Sequence, residues 1–511
     1  MDSNRTEAKE SGCRFTIAII GGGFAGAALA AQVLRKSSGA LSVVLIERGP
    51  RVGKGVAYGT KCGLHLLNVR AQNMSAYPDD PEHFLRWARL NHNVEVKPCD
   101  YLPRRLFGQY VGSVLQQEIE RHPGRFTHVQ DEAVALDRVG DVARIRLRSG
   151  GSVCASQVVL ALGNFPPGDP HLPGKTPHSQ RYVSNPWAAT TTRHIVQEQS
   201  ILLIGSGLTS VDIAIALRER GFDGTVHVLS RRGLLPQSHQ ATTPWPPFWN
   251  ETSPPTVRGL LRLIRMQVDA AERMGSNWRA VIDSLRPFTQ EIWRSLSRQE
   301  KRRFLRHLRP YWEVHRHRIA PEIASSLATQ MQSGRIATHA GRIMEYSEDA
   351  NGVDVTYRDR ESGRLKRLRV DRVINCTGPE SDCRRIESSL LSDLLRQKRV
   401  RPDPLFLGLE ASADGALTNA FGEASDFLYT LGPSRKGSLW ETTAVPEIRL
   451  QAAELAEHLV AAHACVRSAR LEGTVQTVHA IAENSPLQHL GLPRPASTQE
   501  AGRIIETSDV A

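Results

Sequence analysis

The sequence predicts an α/β protein with two parallel-sheet units and a helical insertion in the second. Three observations predict it. Residues 17–30, IAIIGGGFAGAALA, pass from an apolar strand through a glycine turn into a helix of small residues. Residues 201–217, ILLIGSGLTSVDIAIAL, repeat that design. Residues 255–330 carry helical apolar spacing, in VRGLLRLIRMQV and again in WRAVIDSLRPFTQEIW.

The first glycine turn reads Gly21-x-Gly23-x-x-Gly26, a pattern that cradles a pyrophosphate between a strand and a helix N-terminus. Gly21 permits the tight turn, Gly23 lets phosphate approach the backbone, and Gly26 lets helix and strand pack closely. Phe24 and Ala25 lie within the same turn. The next strand, LSVVLIER, ends in Glu47 and Arg48, with the carboxylate placed for a ribose. The second turn, Gly205-x-Gly207-x-x-Ser210, encloses Leu208 and Thr209, and its next strand ends in Ser230, Arg231 and Arg232. A carboxylate repels a 2′-phosphate, whereas arginine binds one through charge-assisted hydrogen bonds. The first cradle therefore suits FAD and the second NADPH, in two Rossmann-type dinucleotide-binding domains.

The chain has 511 residues, 40% apolar and 23% charged, room for about three domains on the usual size prior. Its polar first dozen residues lead straight into a strand, so no secretory leader is expected, and no apolar run is long enough to span a membrane. Seven scattered cysteines contain no Cys-x-x-Cys, which argues against a disulfide framework, a zinc site or a dithiol centre. A reduced, cytoplasmic enzyme is expected. The net charge of +12 raises nucleic acid as a partner, because residues 298–318, RQEKRRFLRHLRPYWEVHRHR, concentrate it. That stretch suits RNA, a lipid headgroup or an anionic substrate, and equally the charged face of a surface helix; the last is favoured. His315 and His317 point to different sides of a helix, so no metal site is expected.

The expected organisation is a tail over 1–13, a first domain over 14–190 and a second over 191–370 that holds the insertion. The first domain then resumes over 371–465, and a tail follows over 466–511. Residues 164–187, rich in Pro, Gly and Asn, read as a connector.

Two cradles in this order, closed by VVLALGNFPP and DRVINCTGPE, resemble the two-domain, glutathione-reductase-like flavoproteins that bind two dinucleotides. The segments GVAYGT, HLLNV, SAYPDDPEHFLRWA, PRRLFGQY, LRPYWEVHRHRIAPE and LWETTAVPEIRLQA look like the bacterial FAD/NAD(P)-binding protein family, over residues 14–460. That resemblance implies FAD and NADPH as cofactors, with Gly163, Gly432, Trp440, Glu441 and Thr442 added to the FAD site. It implies a monooxygenase that uses dioxygen through a flavin C4a-hydroperoxide on a small nitrogen-containing substrate, a purine such as urate or an amine or amino acid. The linker pattern Leu172-x-Gly174-x-x-x-His178-Ser179-x-x-Tyr182 is similar to a class B flavin monooxygenase fingerprint, with a plain Pro/Gly linker as the alternative.

Two positions depart from the family. Arg70 stands where proline is usual, and Pro433 follows Gly432 where an aspartate anchors the ribityl chain in glutathione-reductase-type enzymes. The backbone and Trp440 to Thr443 are then the candidates to hold the ribitol. The substrate is expected between the insertion and the Tyr58–Met74 segment. Candidate catalytic contacts there are His65, Asn68, His239 and Trp440, and candidate substrate contacts are Arg309, Tyr311, Trp312 and Arg316, the arginines suiting a carboxylate or a urate-like anion. The rivals are an NADPH-dependent flavin oxidoreductase without oxygen insertion and an RNA-associated flavoprotein.

Overall fold

The computed structural model describes residues 15–483 apart from 38, 40, 176–178, 189 and 194. His178 of the linker pattern and the tail beyond 490 lie outside the described residues. The chain forms β1 (Phe15–Ile20), the first cradle helix Phe24–Lys36, and β2 (Leu41–Ile46). Helices His83–Asn91 and Arg104–Arg121 then lead to β3 (Phe126–Val129), β4 (Ala133–Val139), β5 (Val142–Leu147), β6 (Ser152–Ala155) and β7 (Gln157–Leu160). After the connector come β8 (Tyr182–Val183), β9 (Ser200–Ile204), the second cradle helix Leu208–Glu219 and β10 (Thr225–Ser230). Six α-helices from Val257 to Gln332 make the insertion. The chain returns through β11 (Ile336–Asp349), β12 (Gly352–Asp359), β13 (Leu365–Val370) and β14 (Arg372–Asn375), and ends with β15 (Ala416–Thr418), β16 (Ala424–Thr430) and helix Val445–Glu483.

The first sheet has the order β15-β16-β7-β1-β2-β3, parallel except at its β15 edge. Along β1, Ile17 and Ile19 enter one core with the first cradle helix and helix Arg104–Arg121, while Ala18 and Ile20 enter another with β4, β5 and helix Ser389–Arg396. A strand is apolar where both of its faces are covered, and β1 is apolar and buried from Ile17 to Ile20. The sheet β4-β5-β6 covers one of those faces.

The second sheet has the order β13-β12-β11-β10-β9-β14-β8. Here the structure corrects an expected boundary. Strand β14, placed by sequence in the resumed first domain from 371, lies between β9 and β8 of the second sheet, and β8 lies before the expected start at 191. The reason is steric: a cradle needs a closing strand beside its first strand, so β14 does for β9 what β7 does for β1.

The described residues up to Val460 form one compact unit, and those beyond it belong to helix Val445–Glu483. No described helix is long and apolar enough to cross a membrane. Within the compact unit, the second cradle helix is tied to the first domain through Asp212. Arg104 donates to both Asp212 carboxylate oxygens (2.6 and 3.0 Å) and, from Nε, to the Leu66 carbonyl (2.9 Å). His65 Nε2 donates to the Asp212 carbonyl (2.8 Å).

Replacing one partner of a buried ion pair strands the other charge, a loss of roughly 3–5 kcal/mol. Asp212→Ala should therefore lower the unfolding free energy of the compact unit by about 3 kcal/mol in a urea titration, and Arg104→Met/Asp212→Met should recover most of it.

Candidate functional site

The site is built from two turns with one construction. Gly21 donates from its N–H to the Ile46 carbonyl (2.9 Å) and adopts φ +108°; a Cβ there would sit 2.3 Å from the Ala161 carbonyl oxygen of the closing segment. Gly205 donates to the Leu229 carbonyl (2.8 Å), adopts φ +111°, and would place a Cβ 2.3 Å from the Cys376 carbonyl oxygen. Only glycine satisfies both the left-handed backbone and the close approach.

The central glycines show what the turns leave open. A Cβ on Gly23 would meet only the Gly55 Cα at 3.7 Å, and one on Gly207 would meet nothing within 4 Å. That space, at the N-terminus of a helix, accommodates a pyrophosphate in each cradle. The third position separates them. A Cβ on Gly26 would lie 1.9 Å from the Gly21 carbonyl oxygen, whereas the second cradle accepts Ser210 there and its hydroxyl donates to the Gly205 carbonyl.

The second strands end differently. Glu47 accepts the Gly22 N–H on one carboxylate oxygen (2.7 Å) and the Gly49 N–H on the other (2.8 Å), which fixes a carboxylate at the end of β2. Ser230 takes that place in the second cradle, its hydroxyl accepting from Ser206 Oγ (2.8 Å) and the Gly233 N–H (2.9 Å). Beyond it Arg231 is exposed and forms no hydrogen bond or ion pair among the described residues, while Arg232 donates to Tyr311 Oη (3.1 Å).

One cleft of about 1180 Å³ runs between the cradles. Arg48 and Gly163 line its first end, Gly205, Gly207, Leu208, Thr209 and the Ser230–Arg232 loop its second. Asn68, His239, Arg309 and Arg316 also line it. His239 donates from Nε2 to the Asn68 carbonyl (3.0 Å), and burial, followed by the nearby Arg318 charge, pushes its pKa down to about 4.

Several expected contacts are absent from the cleft. His65 is buried with both ring nitrogens engaged, by Thr60 Oγ1 and the Asp212 carbonyl (2.8 Å each), so it is a structural tie. Trp440 turns away into the insertion core, where its ring stacks on Trp293 at 4.9 Å. Trp312 donates from Nε1 to Glu441 Oε1 (3.0 Å) in the same region. Tyr311 is exposed and serves the Arg232 loop rather than the substrate wall. Burial pushes Glu441 up, but the Arg316 charge and bonds from His317 and Trp312 outweigh it and hold the carboxylate well below its usual range; it faces these partners, not the cleft. Thr442 donates to the Gly432 carbonyl (3.0 Å) as a brace, leaving Thr443 and Ala444 on the cleft wall. Phe24 is buried against Tyr58 and Phe107, so its position contributes backbone to the cradle.

Sequence reasoning missed Lys436, Asp283, Arg286 and Arg318, all of which line the cleft. Arg318 was two residues from the nominated Arg316; what turns it inward is a bridge between Ser238 and Ile319, two segments far apart in the chain. The basic stretch 298–318 spends much of its charge internally: Arg303 on Glu300, Arg309 on Glu313, Arg316 on Glu441 and Arg318 on Asp283. No group of metal-ligating side chains occurs among the described residues.

Residues 18–165 match a family model described as FAD-NAD(P)-binding. A search of curated proteins found no match. The chain is similar in structure to the ornithine N-hydroxylase of Kutzneria sp. 744 in a complex with reduced FAD, NADP+ and L-ornithine: 13% identity, 87% of this chain, 98% of that one and a TM-score of 0.59. It is similar to L-lysine 6-monooxygenase from Pseudomonas syringae, at 18% identity, 87% and 99% coverage and a TM-score of 0.58. It is also similar to bacillithiol disulfide reductase from Bacillus cereus, at 15% identity, 88% and 99% coverage and a TM-score of 0.50. The fold is that of flavoproteins binding two dinucleotides.

The unfolded chain holds the His239 proton with an ordinary pKa of about 6.5, above the folded value. The stabilisation is therefore complete above pH 6.5 and is lost as pH falls toward 4. His239→Gln should flatten the decline in thermal stability across that window relative to the parent protein.

Proposed function

We propose that the protein is an FAD-dependent, NADPH-using monooxygenase that oxygenates a small amine or amino acid. The observation that carries this reading is the exchange of a braced carboxylate, Glu47, for a hydroxyl followed by two arginines at the same place in two otherwise matching cradles on one cleft. A carboxylate accepts from an unphosphorylated ribose; the arginine fork neutralises a 2′-phosphate. Two coenzymes of different charge are thereby sorted to opposite ends of the cleft.

FAD, when bound, supplies the redox chemistry and the activated oxygen. The chain's own work is positioning and exclusion. Gly21–Gly26 and Glu47 hold the adenosine diphosphate half of FAD. Gly205–Ser210 with Arg231 and Arg232 hold NADPH. The Gly432–Pro433 turn offers no carboxylate to the ribityl chain; Ser434, Lys436 and the backbone at Thr443 line the cleft there and replace it in this reading. His239 stays neutral at pH 7 and holds Asn68 through its carbonyl, stiffening the wall next to the substrate.

The non-oxygenating disulfide reductase, a rival housed by the same fold, needs a reactive thiol. Among the described residues Cys99 and Cys154 are free and exposed but do not line the cleft, while burial pushes Cys376 on the cleft, and Cys62, up to about 12 and Cys383 on the cleft up to about 11. A thiol so placed is a poor nucleophile at neutral pH.

Arg231→Ala should lower kcat/KM with NADPH by roughly 10- to 100-fold, the size of a lost charge-assisted contact, and leave NADH within about threefold. Equal losses with both coenzymes would overturn the assignment of the second cradle. The oxygenase reading itself is tested by stoichiometry in the presence of a panel of amines and amino acids. One hydroxylated product per NADPH and dioxygen consumed supports it; NADPH oxidation that yields only hydrogen peroxide with every compound sinks it.

A further inference from the structure

Arg70, His239 and Arg318 line the cleft, and with Tyr101 packed on His239 they gather hydrogen-bond donors without acceptors. Two backbone pairings assemble the group. The bridge between Leu66 and Pro103, with Leu67 donating to the Leu102 carbonyl (2.8 Å) and Ala71 to that of Asp100 (2.9 Å), sets Arg70 beside Tyr101. The bridge between Ser238 and Ile319, with His239 donating to the Ile319 carbonyl (3.0 Å), sets Arg318 beside His239. The Tyr101 and His239 rings then meet at 5.1 Å, which joins the two pairs.

Arg318 is 2% exposed. Its Nη2 donates to Asp283 Oδ1, but Nε and Nη1 are buried with no partner among the described residues. Tyr101 Oη is likewise buried and unpartnered as a donor, with the Arg70 guanidinium close by. Arg70 forms no ion pair among the described residues; besides Tyr101 it makes a long contact to the Gln240 carbonyl at 3.5 Å. Arg279, a third guanidinium near Arg318, spends its Nε on the Ser238 carbonyl. Against these three positive charges and the neighbouring Arg316 stand Asp283 and the exposed Glu322, so positive charge remains in excess. A protein does not ordinarily leave several buried donors in one place unanswered. Donors and positive charge in excess ask for an acceptor with several lone pairs and negative charge.

We propose that Arg70, Tyr101 and Arg318 form a carboxylate-binding subsite that receives the acid group of an α-amino-acid substrate. The forks of Arg318 and Arg70 answer a carboxylate from the cleft wall, and the Tyr101 phenol beside Arg70 holds that guanidinium in place. Asp283, half-exposed and bonded to Arg318 through one oxygen, keeps its second oxygen for the α-ammonium group. A zwitterion meets complementary groups in this arrangement, whereas a plain diamine meets guanidinium repulsion. The inference rests on the amine-oxygenating reading and narrows its substrates to amino acids. The coenzyme phosphates have their own partners at the Gly205–Ser210 turn and the Arg231–Arg232 loop, so the subsite is not needed for them.

The test is binding, measured apart from turnover. FAD-loaded full-length protein is titrated by calorimetry at constant ionic strength with L-2-aminobutyrate, with L-2-aminobutyramide, which keeps the ammonium and lacks the carboxylate, and with inorganic phosphate. The acid should bind at least roughly tenfold more tightly than the amide, and phosphate should compete weakly. Arg318→Met should abolish that preference, and Arg318→Lys should restore part of it. Tyr101→Phe, which removes one hydroxyl without a change of shape, and Arg70→Met should each weaken the acid by several-fold while NADPH affinity stays unchanged; these two keep the test decisive if Arg318→Met does not fold. Equal affinity for acid and amide, unchanged acid affinity in all variants, or a loss confined to NADPH would each overturn the subsite. Acid binding without oxygenation would leave the subsite standing and sink the reaction; oxygenation of decarboxylated amines with unaltered KM would do the reverse.

Discussion

Both halves of the molecule depend on one steric constraint, the approach of a closing-segment carbonyl to a turn glycine. Ala161 crowds Gly21 and Cys376 crowds Gly205 so closely that any side chain at either glycine would collide with the backbone opposite. The contact forces the turn to be tight, and the tight turn aims the helix N-terminus at the mouth of the sheet, where a phosphate is stabilised. It also dictates which strands each sheet must contain. β7 must lie beside β1 and β14 beside β9, which is why the resumed first domain begins after β14 and not before it. Once two turns of this kind exist, two nucleotide ends exist, and the remaining structure decides how they face each other.

The difference between the turns is electrostatic and rests on few atoms. Glu47 is held by two backbone N–H groups, so its charge is fixed in place. Ser230, at the equivalent strand end, organises a loop through the Ser206 hydroxyl and the Gly233 N–H. Arg232 is then steadied by Tyr311 from the insertion, with the guanidinium 4.9 Å above that ring. The insertion therefore serves both ends of the cleft: Tyr311 beside the second cradle, and Arg318 with Asp283 on the opposite wall. One basic stretch that invites comparison with nucleic-acid binders is, in its most buried parts, spent inside the molecule.

Local patterns made the cradles, their order and the helical insertion legible in the sequence, because each depends on neighbours in the chain. Gly21, Gly23 and Gly26 need only one another, the strand before them and the helix after. The substrate wall was legible only in part. Asn68, His239, Arg309 and Arg316 do reach the cleft, whereas His65, Trp440 and Trp312 do not, and nothing in spacing separates the two groups. His65 and His239 are both histidines in polar surroundings; one donates to a helix carbonyl between domains and the other to Asn68 on the wall. Their fates are settled by bonds to Asp212 and Asn68, 147 and 171 residues away, and by the shorter-range Leu66–Pro103 and Ser238–Ile319 bridges beside them. Trp440 holds a positive φ of 57° and is turned by stacking on Trp293, a packing choice no motif carries.

In the proposed function, electron transfer between two coenzymes would require their rings to meet, and the ends of the cleft would have to keep a constant separation. Asp212 supplies that constancy. It lies one helical turn beyond Leu208 and Thr209, which line the cleft, and is clamped by Arg104, whose Nε also holds the Leu66 carbonyl. Leu66 is two residues from Asn68 and four from Arg70. The second cradle helix and the substrate wall are thus joined through one carboxylate and one guanidinium, with His65 adding a third bond to the same residue. A pair of this kind, with both side chains largely buried, gives up more in desolvation than an exposed pair does and contributes chiefly geometry. Geometry is what the proposed chemistry would demand: a coenzyme at each sheet, with the second cradle helix tied through Asp212 to the Leu66 segment that leads to Asn68 and Arg70.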